Sequence, residues 1–258
     1  MDYTSYKPIK NLGQNFLIDF EYAYIMLDAL QIEDGDLIVE IGPGLGALTD
    51  DLAARIRDTN TIAHAVDVDS RFVGKLNAMY LDNLNINLIT ADILEWLPQF
   101  NPEKDFKVVG SLPYYITSPI LHAIVKHPKR PKIAVLLVQK EVAQKIVQQA
   151  PDASYLSVFA GTFYDCQLIT NVPKEKFSPS PKVDGGIIKL VRKEHIMIAN
   201  EDVLRYEDFL HKGFSKPRKM LNKVFAKDKL VSLGIDDTLR PQHLQLEDWY
   251  KLFFNTDF

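Results

Sequence analysis

The sequence predicts an α/β protein: a doubly wound, largely parallel sheet followed by a small helical domain. Two observations carry this reading. Short apolar runs at 37–41, 61–66, 86–89, 106–110, 132–138, 160–169 and 184–191 read as strands, and helical stretches separate the first five. Strands that alternate with helices form parallel sheets, because each crossover returns the chain to the same end. Beyond a break at 193–200 the pattern turns helical throughout, with Gly234 and Pro241 as punctuation. The expected domains are therefore 1–195 and 196–258.

A helix over Glu21 to Leu30 precedes the first strand. That strand, Leu37-Ile38-Val39-Glu40-Ile41, runs into Gly42-Pro43-Gly44-Leu45-Gly46 and then a helix to Ile56. Glycines there let the backbone approach a ligand closely. The spacing is G-x-G-x-G and not the G-x-G-x-x-G of dinucleotide binders, which disfavours a nicotinamide oxidoreductase. The second strand ends at Asp67, 25 residues past Gly42, a position suited to a ribose hydroxyl pair. A helix over 70–80 follows, then a third strand that leads into Ala91-Asp92-Ile93. A carboxylate at Asp92 can accept from an adenine amine. Taken singly, each acid reads first as a strand-end or N-cap carboxylate. Matching groups at four successive strand ends read as a site.

The fourth strand ends in Gly110-Ser111-Leu112-Pro113-Tyr114. Proline fixes φ and lacks an N–H, so the strand must stop there. The stiff turn offers a small hydroxyl, bare carbonyls and an aromatic ring. That set suits a flat base with an exocyclic amine: the ring stacks, and the oxygens accept from the amine. A helix over 140–149 follows the fifth strand. Only the Pro-rich segment 173–181 separates the last two strands, too short for a crossover helix, so these should pair antiparallel. Tail helices are expected at 201–212, 217–225 and 246–254.

Composition narrows the function class. At 47% hydrophobic residues the chain can fill a large core. The single cysteine, Cys166, allows neither an intramolecular disulfide nor a cysteine metal site, and reads as a core residue of a strand. The six histidines lack zinc-site spacing, so no metal is expected. With no 18-residue apolar run, and no signal-peptide pattern at 1–4, a cytoplasmic protein without membrane contact is expected. The net charge of −4 conceals an asymmetry. Residues 1–105 hold 7 Lys/Arg and 18 Asp/Glu, a net of −11; residues 106–258 hold 23 and 16, a net of +7. The C-terminal part is thus the expected nucleic-acid face. One basic cluster comprises Lys126, Lys129, Arg130 and Lys132; a second comprises Lys212, Lys216, Arg218, Lys219, Lys223 and Lys227. On a helix Lys216, Lys219, Lys223 and Lys227 would share a face. Like charges stacked that way cost stability, which points to a polyanion partner.

Together these motifs resemble class I S-adenosylmethionine (SAM) methyltransferases and, more narrowly, the rRNA adenine N6,N6-dimethyltransferases. Further segments carry the resemblance over nearly the whole chain: Lys10-Asn11-Leu12-Gly13-Gln14-Asn15-Phe16-Leu17, Val138-Gln139-Lys140-Glu141-Val142-Ala143, Phe177-Ser178-Pro179-Ser180-Pro181-Lys182-Val183-Asp184 and Phe214-Ser215-Lys216-Pro217-Arg218-Lys219. The resemblance implies the seven-stranded methyltransferase variant of the Rossmann fold. It implies that Gly42 and Gly44 hold the methionine end of SAM, with Glu40 holding the turn. Asp67 would take the ribose, Asp92 the cofactor's adenine amine, and Gln14, Asn15 and Leu17 would fold over as a lid. Ser111, Leu112, Pro113 and Tyr114 would form the catalytic turn, with Ser111 also bordering the cofactor. Tyr114 and Phe177 would stack on the two faces of the target adenine. Phe177, set between lysines and small or rigid residues, is expected to be exposed. Lys216, Arg218, Lys219 and Lys223 would bind RNA.

The implied substrate is rRNA of a small-subunit precursor during ribosome assembly, methylated by a monomer. The alternatives are the large-subunit enzyme type of macrolide resistance and a catalytically weakened assembly factor. In one departure, the family's tetrapeptide usually begins with Asn, and here it begins with Ser111. The shorter arm implies slower turnover and an incomplete second methylation.

Overall fold

The computed structural model describes Ile9 and residues 13–256. The motif residues Lys10, Asn11 and Leu12, and the segment 1–4, lie outside the described residues. In chain order the elements begin with β1 (Phe16–Leu17), α1 (Phe20–Leu30), β2 (Leu37–Ile41), α2 (Thr49–Ile56), β3 (Ile62–Asp67), α3 (Ser70–Met79) and β4 (Ile86–Thr90). Next come α4 (Ile93–Gln99), β5 (Lys107–Ser111), α5 (Thr117–Lys126), β6 (Ile133–Gln139), α6 (Lys140–Val147) and α7 (Tyr155–Phe163). The chain continues through β7 (Tyr164–Val172), β8 (Phe177–Ser178), β9 (Gly185–Arg192), α8 (Val203–Phe214), α9 (Lys227–Ser232) and α10 (Leu246–Asn255). No described helix is long and apolar enough to cross a membrane.

Seven strands form one sheet in the order β4-β3-β2-β5-β6-β9-β7. β2 pairs parallel with both β3 and β5, and β6 continues parallel to β5. β9 runs antiparallel to β6 and lies between it and β7. The order reverses between β2 and β5, since the chain builds outward to β4 and then restarts on the other side of β2. Connections there leave in opposite directions, which opens a crevice at the carboxyl ends of the strands. β2 is buried along its whole length. Ile38, Val109, Val135 and Ile187 pack in one cluster with Met26, Leu27 and Leu30 of α1 and Leu52 and Ile56 of α2. α1 starts where Asp19 accepts from the Glu21 N–H and stops where Gln31 turns left-handed at φ 55°.

Two expected elements fold differently. Residues 160–163, expected to open a strand, end α7 instead; β7 starts at Tyr164. Ser154 and Ser157 form a capping box at the start of α7, and a short apolar run does not by itself distinguish helix from strand. The helix expected over 217–225 does not form; only Leu221–Lys223 makes a single 3-10 turn. Two N–H groups at its centre are satisfied by a distant segment. Leu221 N donates to Leu239 O at 2.7 Å and Asn222 N to Asp237 O at 3.2 Å. Pro217 also disfavours helix at Lys216.

Packing divides the chain into two compact units: 1–143 with 167–192, and 144–166 with 193–258. The boundary read near 195 falls close to the last crossing, but residues 144–166 group with the tail. In that second unit the Thr162 and Tyr206 hydroxyls lie 3.1 Å apart, and fully buried Trp249 stacks on Phe214 and meets Phe209 edge-on. An α7 that supplies core to this unit explains the grouping.

Candidate active site

The carboxyl ends of β2, β3 and β5 and the start of α4 surround a cavity of about 370 Å³. All its lining residues belong to the first unit. Of the residues singled out from sequence, Gln14, Asn15, Leu17, Gly42, Gly44, Asp67, Asp92, Ser111, Leu112, Pro113, Tyr114 and Phe177 line it together. Glu40 lies behind the wall. Lys216, Arg218, Lys219 and Lys223 are exposed on the second unit and do not line it.

The Gly-rich turn is built for close approach. Gly42, Gly44 and Gly46 all have positive φ, at 67°, 52° and 97°. A Cβ on Gly44 would stand 3.3 Å from the Phe16 ring. Beneath the turn Glu40 is fully buried, and Thr49 Oγ1 donates to its Oε1 at 2.9 Å. Its Oε2 lacks a hydrogen-bond partner among the described residues. Burial pushes the Glu40 carboxyl up to about 8, against the lowering effect of the Thr49 hydrogen bond.

Asp67 closes β3 and reaches back to this turn. Its Oδ2 accepts from Gly44 N at 3.0 Å and its Oδ1 from Asp69 N at 2.8 Å. Burial raises its carboxyl above the usual range. A carboxylate has about four acceptor positions, so two backbone bonds orient Asp67 and leave capacity for hydroxyl donors. Asp92 caps α4 by accepting from Leu94 N at 2.8 Å and is exposed toward the cavity.

The Ser-Leu-Pro-Tyr turn forms the other side. Leu112 N donates to Leu137 O at 2.9 Å, which ties the turn to β6. Gly110 allows β5 to sit tight on β2, since a Cβ there would fall 2.7 Å from Ile41 O. The Ser111 carbonyl lies 3.8 Å from where a Gly42 Cβ would be, so the two turns nearly touch. Tyr114 Oη has no hydrogen-bond partner among the described residues, and burial, aided by the Asp184 charge, pushes it up to about 12. Glycine walls, the oriented Asp67 carboxylate, the exposed Asp92 and the Tyr114 hydroxyl, unpartnered among the described residues, let a ligand approach the backbone closely and offer acceptors for hydroxyl and amine donors.

Phe177 corrects an expectation. It is only 4% exposed and belongs to the core cluster, because β8 pairs antiparallel with β1 and sets Phe177 opposite Leu17. The flanking lysine does not expose it: Lys176 turns outward to Asp19 at 2.6 Å. Phe177 lines the cavity wall from the core side. The sequence reading passed over Phe16, Phe72 and Tyr115, which also line the cavity, and Asp69, which orients Asp67. The Asp-x-Asp-Ser run at 67–70 was the available signal for Asp69.

Residues 7–256 match the protein family described as ribosomal RNA adenine dimethylase. The chain is 34% identical over 251 residues to the Ribosomal RNA small subunit methyltransferase A of Sulfurihydrogenibium sp., covering 96% of this chain and 95% of that one. It is 36% identical over 257 residues to the protein of the same name from Mycoplasmopsis pulmonis, covering 95% and 97%. Among solved structures, a dimethyladenosine transferase from Plasmodium falciparum superposes with a TM-score of 0.75 at 25% identity, over 92% of this chain and 95% of that one. The 23S rRNA methyltransferase ErmE superposes with a TM-score of 0.74 at 24% identity, over 93% and 98%, a likeness of fold.

Proposed function

This chain belongs to the ribosomal RNA adenine dimethylase family, and we propose that the RNA it methylates is that of the small ribosomal subunit. It is a SAM-dependent rRNA adenine dimethyltransferase with the class I methyltransferase fold. The observation that carries the assignment of the site is the meeting of two turns. The Gly42–Gly46 turn with Asp67 and Asp92 and the Ser111–Tyr114 turn open onto one cavity.

When bound, SAM supplies an electrophilic methyl group on a sulfonium. Gly42 and Gly44 would admit its methionine end, Asp67 would bind the ribose hydroxyls, and Asp92 would accept from its adenine amine. Gln14, Asn15 and Leu17 would cover it. A target adenine must leave its stack to enter the cavity, at a cost of a few kcal/mol. The Tyr114 ring offsets that cost by stacking on the base; the buried edge of Phe177 bounds the pocket. The amine of adenine is a weak nucleophile because its lone pair is delocalised into the ring. Ser111 Oγ and the Leu112 carbonyl would accept hydrogen bonds from its N–H groups and favour a pyramidal nitrogen, which localises the lone pair; the nitrogen, cationic once methylated, would release its extra proton to water. Positioning and oriented dipoles carry this chemistry, and no strong base is required.

The exposed Lys216, Arg218, Lys219 and Lys223 would bind RNA phosphates. We place the protein in the cytoplasm as a monomer. The relatives named above are small-subunit enzymes, whereas the likeness to a large-subunit enzyme is one of fold. Mapping methylated adenines in rRNA from cells with and without the gene tests this. Loss of dimethyladenine confined to small-subunit rRNA supports it; loss confined to large-subunit rRNA overturns it.

A further inference from the structure

We propose that Asp69 is a positioning residue that locks the strap Gly13–Leu17 to the loop carrying Asp67. The inference rests on the cofactor-site reading above, in which Asp67 holds the ribose and the strap covers the cavity. Asp69 is 6% exposed, and both its carboxylate oxygens are engaged. Oδ1 accepts from Arg71 N at 3.1 Å, capping α3, and from Arg71 Nε at 2.9 Å. Oδ2 accepts from Arg71 at 2.7 Å and from Gln14 Nε2 at 3.0 Å. Its own N–H donates to Asp67 Oδ1 at 2.8 Å. The first turn of α3, the Asp67 carboxylate and the strap therefore share one anchor.

A helix cap alone would need only Oδ1. The second oxygen is shared between Arg71 and a residue 55 positions earlier in the chain, Gln14. Arg71 offsets the cost of burying the charge and holds the Asp69 carboxyl down at about 2, so the anchor stays ionised at neutral pH. The strap transmits this fixing in two directions. Phe16 packs edge-on against Phe72 at 5.4 Å and borders Gly44. Gly13, at φ 58°, lies under the Tyr115 ring, which a Cβ there would approach to 2.9 Å. One polar anchor thus holds a segment that touches both the Gly-rich turn and the base-binding turn.

Reversing the polarity of the bond tests this. Asp69→Asn keeps a capping oxygen but presents a donor to the Gln14 amino group, and the Gln14 amide can turn over to accept it only by giving up the bond its Oε1 accepts from Ile9 N at 2.8 Å. Gln14→Glu presents an acceptor to the Asp69 acceptors. In the double variant Gln14→Glu/Asp69→Asn the bond can re-form with its direction exchanged. Amide hydrogen exchange, measured without cofactor, reads the strap directly, with α3 as the internal control. Each single variant is expected to speed exchange over 13–17 about tenfold and leave α3 unchanged, and the double variant to return to within about twofold of wild type. Calorimetry on Asp69→Asn should show SAM binding about tenfold weaker. Single variants that leave strap exchange unchanged, a double variant that does not recover, or unaltered SAM affinity in Asp69→Asn would each overturn the proposal. Absence of SAM binding by the wild type would instead remove the cofactor reading, and the exchange data would still decide whether the anchor exists.

Discussion

Ser111 ends β5 on the cavity wall, where the family usually carries Asn. Its hydroxyl reaches less far than an amide oxygen. After the first methyl is added, one fewer proton anchors a bulkier amine in the same pocket. Ser111→Ala is therefore expected to slow both transfers by about 1 kcal/mol, roughly fivefold, and Ser111→Asn to raise the dimethylated fraction. Mass spectrometry of digested RNA separates the two products. Equal rates and product ratios in wild type and Ser111→Ala would leave the amine held by backbone carbonyls alone. Glu40 makes a prediction about pH. Burial raises its carboxyl to about 8 in the folded chain, so the folded state binds the proton more tightly than the unfolded state. This group therefore favours folding at low pH, and stability is lost as pH rises from about 4.5 to about 8, at up to about 1.4 kcal/mol per pH unit. Glu40→Gln keeps an acceptor for Thr49 and removes the titration. Thermal melts should show a flatter pH dependence for the variant and a higher melting temperature than wild type at pH 8; parallel curves would mean that Glu40 is not protonated. Gly42, Asp67, Asp92 and Ser111 could be picked out as single residues because each lies at or just beyond the carboxyl end of a strand. Phe177 misled, since lysine neighbours say nothing of a strand pairing with β1. For Asp69 the Asp-x-Asp-Ser run signals a helix cap, but the bond to Gln14, 55 residues away, leaves no local pattern.

Elements with strong periodicity and clear punctuation, such as β2, β5 and α10, were legible nearly to their ends. Where the sequence misdirected, a tertiary partner decided. Residues 217–225 carry helical spacing, yet the N–H groups of Leu221 and Asn222 bond to Leu239 and Asp237, and Pro217 opens the segment. The lysines there are exposed without sharing a helix face. Their proposed role in phosphate binding needs only exposure. Reversing Lys216, Lys219 and Lys223 to Glu should weaken RNA binding and lower its salt slope, by about 0.7 to 0.9 for each phosphate no longer neutralised, with SAM affinity unchanged. Filter binding across a salt series checks this, and an unchanged slope would reduce these lysines to solvated surface. α8 offers a test of packing against propensity. Gly213 is helical, and alanine would gain about 1 kcal/mol of helix propensity there. A Cβ would, however, stand 2.6 Å from the ring of fully buried Trp249. Overpacking against a rigid ring costs about 3 kcal/mol at the upper end, so Gly213→Ala should destabilise the protein by about 2 kcal/mol. Urea denaturation reads the result; a stabilised variant would show that the ring yields.

At the scale of the molecule, the sheet and its site were legible because few connections are possible. Alternating strands and helices force parallel pairing, and a reversal of strand order places the crevice beside β2 and β5. The grouping of 144–166 with the tail was not legible, because it depends on what α7 packs against and not on any local pattern. In the function proposed above, the first unit's cavity would bring a methyl donor to a flipped base and the exposed lysines of the second unit would bind the RNA. The most direct test is to incubate the purified protein with SAM and small-subunit rRNA lacking the modification, then digest the RNA and measure adenine methylation by mass spectrometry. The account predicts N6,N6-dimethyladenosine with the wild type, and little with Tyr114→Ala or, at limiting SAM, with Asp67→Ala. Unmethylated adenines with the wild type, or undiminished product with both variants, would contradict it.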